Sequence, residues 1–126
     1  MATGLDNLWI YKLAEDLEVE IHEITNRFPR DEFYRSVDQI RRSSAAAANN
    51  IAEAYHKSTI KEKIRFLDIA SGEAEETKRN IRKSERKGFI SRDVGDKIIE
   101  QYTTLLKGMF AYKRFLLVHS LTKTKN

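Results

Sequence analysis

Between Phe33 and Ala54 the apolar and small residues fall at Phe33, Val37, Ile40, Ser44, Ala47, Ile51 and Ala54. The spacing alternates four and three, the seam of a helix packed lengthwise on its neighbours at a shallow angle. Inside this seam the stretch QIRRSSAAAANNIAEAY, Gln39 to Tyr55, is short of bulk. Ser44 and Ala47 stand inward between Ile40 and Ile51, and Ala45, Ala46, Ala48 and Ala52 are read as outward and equally smooth. Arg42, Ala46, Asn49 and Glu53 share the face opposite the seam, with Arg41 and Asn50 on its flanks. Small residues on more than one face let more than one helix approach closely.

Three further helices follow from the same reasoning. Trp9, Leu13, Leu17, Ile21, Ile24 and Phe28 draw one stripe along helix 1, which Asp6 or Asn7 would cap. Phe28-Pro29 ends it, because the residue before proline is driven out of the helical region. Asp31 is expected to cap helix 2, with Glu32 in its first turn. Thr59-Ile60-Lys61-Glu62 has the form of a capping box and starts helix 3. Its stripe is Ile60, Ile64, Leu67, Ala70, Ala74, Thr77, Ile81 and Ser84, and Gly72 within it suggests a close helix approach. Gly88 suits the left-handed residue after a helix, and Ser91 suits the next cap. Helix 4 carries one row at Val94, Ile98, Tyr102, Leu105, Met109, Tyr112 and Leu116, and a second at Ile99, Leu106, Phe110 and Leu117. Two rows exceed one seam, so helix 4 is expected to be deeply central or to face another subunit.

The expected architecture is all-α: one antiparallel up-down-up-down four-helix bundle over 1–126, with helices at about 5–27, 31–57, 59–87 and 91–120 and a frayed basic tail. The chain has one proline, no cysteine and one third charged residues, which fits long helices joined by short turns and excludes disulfides and thiol chemistry. The start MATGLDNLW lacks a basic and then apolar leader, and no apolar run nears the ~20 residues of a membrane span. A cytoplasmic protein without membrane contact is expected.

Charge is segregated. Lys12 to Glu23 is acidic, whereas Lys78, Arg79, Arg82, Lys83, Arg86, Lys87 and Arg92 are countered within their run only by Glu85. The topology gathers Arg27, Arg30 and Arg35 at the same end of the bundle. A sparser set, Lys57, Lys61, Lys63, Arg114, Lys123 and Lys125, marks the other end. Clustered positive charge on exposed helix faces is what phosphate-backbone binding requires, so the 78–92 run is the candidate nucleic-acid site. Solvated helix faces and charge-matched subunits are the competing readings.

Catalysis finds no support. A di-iron bundle needs two Glu-x-x-His motifs and two more inward glutamates, and only Glu53-Ala54-Tyr55-His56 occurs. No nucleophile elbow or phosphate-binding glycine loop is present. Neither enzyme activity, cofactor nor metal is expected. Ser43 and Ser44 read as packing residues. Glu73, Glu75 and Glu76 read as intrahelical ion pairs with Lys78 and Arg79. Arg41 and Arg42 need partners, and Glu53, Glu73 or Glu76 within the bundle or across subunits are the expected ones, with phosphate contact as the competing reading.

Gln39-Ile40-Arg41-Arg42, Asn50-Ile51-Ala52-Glu53 and Arg65-Phe66-Leu67-x-Ile69-Ala70-x-Gly72-x-x-x-Glu76 resemble the bundle proteins encoded in intervening sequences of bacterial 23S rRNA genes. Trp9, the Phe28-Pro29-x-x-Glu32 turn and Gly88 fit too, in register over about residues 9–90. The family commonly has proline at Ala48 and glycine at Ala54, so a straighter helix 2 is expected here. The resemblance implies a homo-oligomeric ring, often a pentamer, with no established enzymatic activity. It also implies kinship with accessory proteins of diversity-generating retroelements, which associate with a reverse transcriptase and nucleic acid. Arg41, Arg42, Ala45, Ala46, Asn50, Glu53, Arg65 and Glu76 form the set expected to serve structure or assembly. Expected partners are therefore a second copy of the chain, RNA or DNA, and a reverse transcriptase; a protein-interaction scaffold is the alternative.

Overall fold

The computed structural model describes residues 4–125, with side-chain surroundings up to residue 120. Helix α1 spans Trp9–Thr25, α2 Asp38–His56, α3 Ile60–Arg86 and α4 Arg92–Lys125. A 3-10 turn at Arg30–Glu32 and a π turn at Phe33–Val37 lead into α2. Each helix packs on its chain neighbours, and α4 closes back on α1, which gives an up-down-up-down four-helix bundle. Among the described residues there is no strand, and no helix is long and apolar enough to cross a membrane.

The α2 seam is built as its spacing dictates. Val37, Ile40, Ser44, Ala47, Ile51 and Ala54 are all buried, and Phe33 is half-buried. Ser43 and Ala48 are buried as well, so Ala48 belongs to the core and not to the outward face. Across the α2–α3 contact Ser43 Oγ and Thr77 Oγ1 share a 2.7 Å hydrogen bond. Whichever hydroxyl accepts in this pair has its own proton free for a carbonyl of its helix, Ile40 O for Ser43 or Glu73 O for Thr77. A pair of short polar side chains thus brings the two helices close without leaving a buried hydroxyl unsatisfied.

Helix ends follow local chemistry in most places. Thr59 Oγ1 accepts from the Glu62 amide at 3.2 Å, and Ser91 Oγ accepts from the Val94 amide at 3.2 Å. Gly88 sits at φ +79°, Gly88 N donates to Glu85 O and Phe89 N to Ser84 O. This paired return of amides to the last carbonyls stops α3 and turns Phe89 onto Phe28, with ring centroids 5.3 Å apart.

Five expectations fail. Helix 1 buries Ile10, Ala14, Leu17, Ile21 and Thr25, whereas Trp9 is 53% exposed. The indole lies across α4 where a side chain at Gly108 would overlap it, and the smaller Ile10 takes the inner position. Neither Asp6 nor Asn7 caps α1, whose N-cap is Leu8. Asp31 does not cap α2 either. The 3-10 turn after Pro29 closes through Glu32 N to Pro29 O at 2.9 Å, and Glu32 itself is buried and accepts from Ser36 Oγ. Gly72 faces open space, so no close approach within the chain explains it. Helix α4 continues to Lys125 instead of stopping near 120, and the side chains of 121–126, including Lys123 and Lys125, lie outside the described residues.

The inner row of α4 is buried at Ile98, Tyr102, Leu105, Met109 and Leu116, with Tyr112 half-buried and Val94 exposed. The second row divides: Ile99 and Leu106 pack on the core, whereas Phe110 and Leu117 are exposed. The Tyr102 hydroxyl is buried without a hydrogen-bond partner, and burial pushes its ionisation far above the usual phenol range. A buried hydroxyl without a partner costs stability. Tyr102→Phe is therefore expected to keep or raise the midpoint of thermal unfolding in calorimetry. A loss above about 1 kcal/mol would show that the hydroxyl has a partner.

Candidate nucleic-acid interface

The second half of α3 and the turn after it present the cationic run, and its members differ in what holds them. Arg82 Nη1 lies 2.8 Å from Glu85 Oε1 and 2.5 Å from Asp96 Oδ1. Glu85 foremost, and then Asp96, raise its already high pKa. Arg92 reaches the same Asp96 at 3.9 Å. Lys87 stands 3.8 Å from the buried Glu32 and 6.0 Å from the Phe89 ring centroid. Arg79, Lys83 and Arg86 are exposed and have no ion pair among the described residues; Lys78 is half-buried and likewise has none. Arg79, Lys83 and Arg86 are spaced four and three, so they share one face over about 10 Å of helix axis.

The candidate face extends onto the neighbouring elements at the same end. Arg27, Arg30 and Arg35 are exposed there. A cleft of about 550 Å³ between α1 and α4 is different in character, since Glu20 and Glu23 stand in it beside Arg27 and Lys97. That cleft is mixed in charge and does not enlarge the basic face. At the opposite end Lys61 and Arg114 are exposed with no ion pair among the described residues, whereas Lys57 and Lys63 serve the fold. Lys63 Nζ donates to the Ala54 and Tyr55 carbonyls at the end of α2, and Lys57 pairs with Glu53 at 3.6 Å while lying over Phe66.

Within the chain, most of the set expected to serve structure or assembly makes local contacts. Arg41 does not reach Glu53, Glu73 or Glu76. Its guanidinium donates to Thr25 Oγ1 at 2.9 Å, Asn26 Oδ1 at 2.8 Å and His22 O at 3.2 Å. It thereby holds the last turn of α1, where a cation also complements the negative helix end. Arg42 pairs with Asp38 at 3.5 Å on an exposed surface, where such a pair contributes little. Asn50 Nδ2 returns to Ala46 O, and Arg65 pairs with Glu62 while its guanidinium lies 4.5 Å from the Phe66 centroid. Ala45 and Ala46 are half-buried. Glu53 is taken by Lys57 and His56 packs edge-on to Tyr55, so the Glu-x-x-His motif is engaged in surface contacts.

The acidic group on α3 also departs from expectation. Glu73, Glu75 and Glu76 make no ion pair with Lys78 or Arg79 among the described residues. Glu73 has a raised carboxyl pKa, first because burial penalises its charge and then because Glu76 stands beside it. Sequence reasoning passed over Ser36 and Asn80 and used Gln39 only as a motif residue; the three line a small recess with Lys83 and Lys87. Their helical spacing was readable, but their meeting depends on the α2–α3 register.

The family model of the 23S rRNA-intervening sequence protein matches residues 6–111. Among solved structures, the chain is similar to a Bacteroides thetaiotaomicron VPI-5482 protein of unknown function from the S23 ribosomal protein family. The TM-score is 0.75 at 22% identity, over 82% of this chain and 97% of that one, a likeness of fold. Comparison with curated proteins gives no match.

Arg41 offers a direct check on the local reading. Arg41→Ala is expected to destabilise the bundle by about 1–2 kcal/mol in urea unfolding and to speed amide exchange in the last turn of α1. Unchanged stability and exchange would contradict the role assigned to its three hydrogen bonds.

Proposed function

The chain belongs to the family of 23S rRNA-intervening sequence proteins, and we propose that it acts without catalysis, as a cytoplasmic homo-oligomeric bundle that binds the phosphate backbone of structured RNA or DNA. The nucleic acid is bound alone, in a ribonucleoprotein or together with a reverse transcriptase. The observation that carries this reading is the row Arg79, Lys83 and Arg86: three exposed cations on one face with no ion pair among the described residues. Cations already paired gain little from a phosphate, whereas unpaired ones release condensed counterions from the nucleic acid. Phe89 packs on Phe28, whereas Tyr34 beside Arg35 at the same end is 95% exposed and open to a base; phosphate contacts and ring stacking carry little base information, so the binding is read as sequence-tolerant.

Self-association is supported by α4. Phe110 and Phe115 are each 60% exposed, and Leu117 and Val118 are exposed beside them. Apolar surface grouped on one helix marks an interaction face. The same face favours the second reading, a homo-oligomeric scaffold without nucleic acid. The resemblance to retroelement accessory proteins supports the reverse-transcriptase partner.

Fluorescence anisotropy with a labelled RNA hairpin and a duplex DNA separates the readings. The triple variant Arg79→Glu, Lys83→Glu, Arg86→Glu is expected to lose affinity at least about tenfold while keeping its helical circular dichroism. Unchanged affinity of that variant would overturn the assignment of the row. An oligomer in light scattering that binds neither nucleic acid would favour the scaffold.

A further inference from the structure

Where α2 begins and α3 ends, a recess of about 20 Å³ opens between the helices, lined by Ser36, Gln39, Asn80, Lys83, Ser84 and Lys87 among others. That is room for one oxygen-sized atom. Its polar groups are unequally occupied. Ser36 Oγ donates to Glu32, and Ser84 Oγ donates to Asn80 O. Asn80 Nδ2, by contrast, is buried and has no hydrogen-bond partner. A buried amide donor without an acceptor carries a desolvation cost that a ligand acceptor would remove. Lys83 edges the recess with no ion pair among the described residues, and Lys87 is paired with Glu32 at 3.8 Å. The site therefore offers one unspent buried donor, one unpaired ammonium group, Lys83, and space for one acceptor atom, while the charge of Lys87 is already met by Glu32. Those features suit an anionic oxygen better than a neutral one.

We propose that this recess seats a non-bridging phosphate oxygen of a nucleic-acid backbone, with Asn80 Nδ2 donating to it and Lys83 beside the charge. The proposal rests on the nucleic-acid reading above and deepens it. Lys83 is shared between the recess and the exposed row with Arg79 and Arg86, so one phosphate anchored here would set where the backbone runs along α3. A row of exposed cations alone positions a polyanion loosely; a buried directional donor fixes a register.

The test follows the Asn80 side-chain amide by ¹⁵N NMR in the full chain during titration with an RNA hairpin, a duplex DNA and inorganic phosphate. Anisotropy is measured in parallel for Asn80→Asp and Lys83→Gln. Lys83 is exposed, so its variant guards against a folding defect in the first. The expected result is a shift of the Asn80 amide with nucleic acid and a loss of affinity of about tenfold in each variant. Nucleic acid that binds while the Asn80 amide stays unmoved, with Asn80→Asp as tight as wild type, overturns the recess and leaves the broader reading intact. If neither nucleic acid binds at low salt, the broader reading fails. The phosphate titration then decides the recess separately, an Asn80 shift supporting it as a phosphate site and no shift overturning it.

Discussion

The close contact of α2 with α3 is the constraint on which the other features depend. Ala47, Ala54, Ala70 and Ala74 are each 1% exposed or less, and the buried Ser43–Thr77 hydrogen bond ties the middle of the two helices. Bulk at these positions would force the helices apart, and overpacking of a tight seam typically costs about 1–3 kcal/mol. With Ser43 opposite Thr77, antiparallel packing places Ile51 near Ala70 and Ala47 near Ala74. The same register carries Glu32 to Lys87 and brings Ser36 and Gln39 beside Asn80 and Lys83. The basic face is thus an outcome of seam geometry as much as of charge content.

Much of this was readable from spacing and caps. The α2 seam, the Thr59 and Ser91 caps and the Gly88 stop each rest on contacts within a few residues, where sequence and geometry are tightly linked. The misplaced features depend on distant partners. The one row read along α1 ran through Trp9 and Leu13, whereas the buried row runs through Ile10 and Ala14, with the Trp9 indole laid over Gly108 of α4. Arg41 was expected to find a carboxylate; its acceptors are a carbonyl, a hydroxyl and an amide at the end of another helix. No sequence pattern marks a backbone carbonyl as an arginine's partner. The 3-10 and π turns before α2 likewise go with a buried Glu32, which its charge did not suggest.

The basic run shows how a charge count becomes specific only with geometry. Seven cations lie between Lys78 and Arg92, yet Arg82 and Arg92 converge on Asp96, and Lys87 turns toward Glu32. Asp96 lies on the next helix, ten or more residues from the arginine it holds most closely, so the run seemed nearly unopposed when read along the chain. What stays available for a polyanion is the narrower row at Arg79, Lys83 and Arg86. Its members stand on a regular helix stopped cleanly at Gly88, which gives them a fixed spacing.

The central claim is that this row acts through backbone phosphates, and the most direct measurement is the salt dependence of binding to duplex DNA. For three phosphates neutralised per protomer, the logarithm of the association constant should fall against the logarithm of salt concentration with a slope of about −2.7. A flat dependence, or binding that survives high salt undiminished, would contradict it.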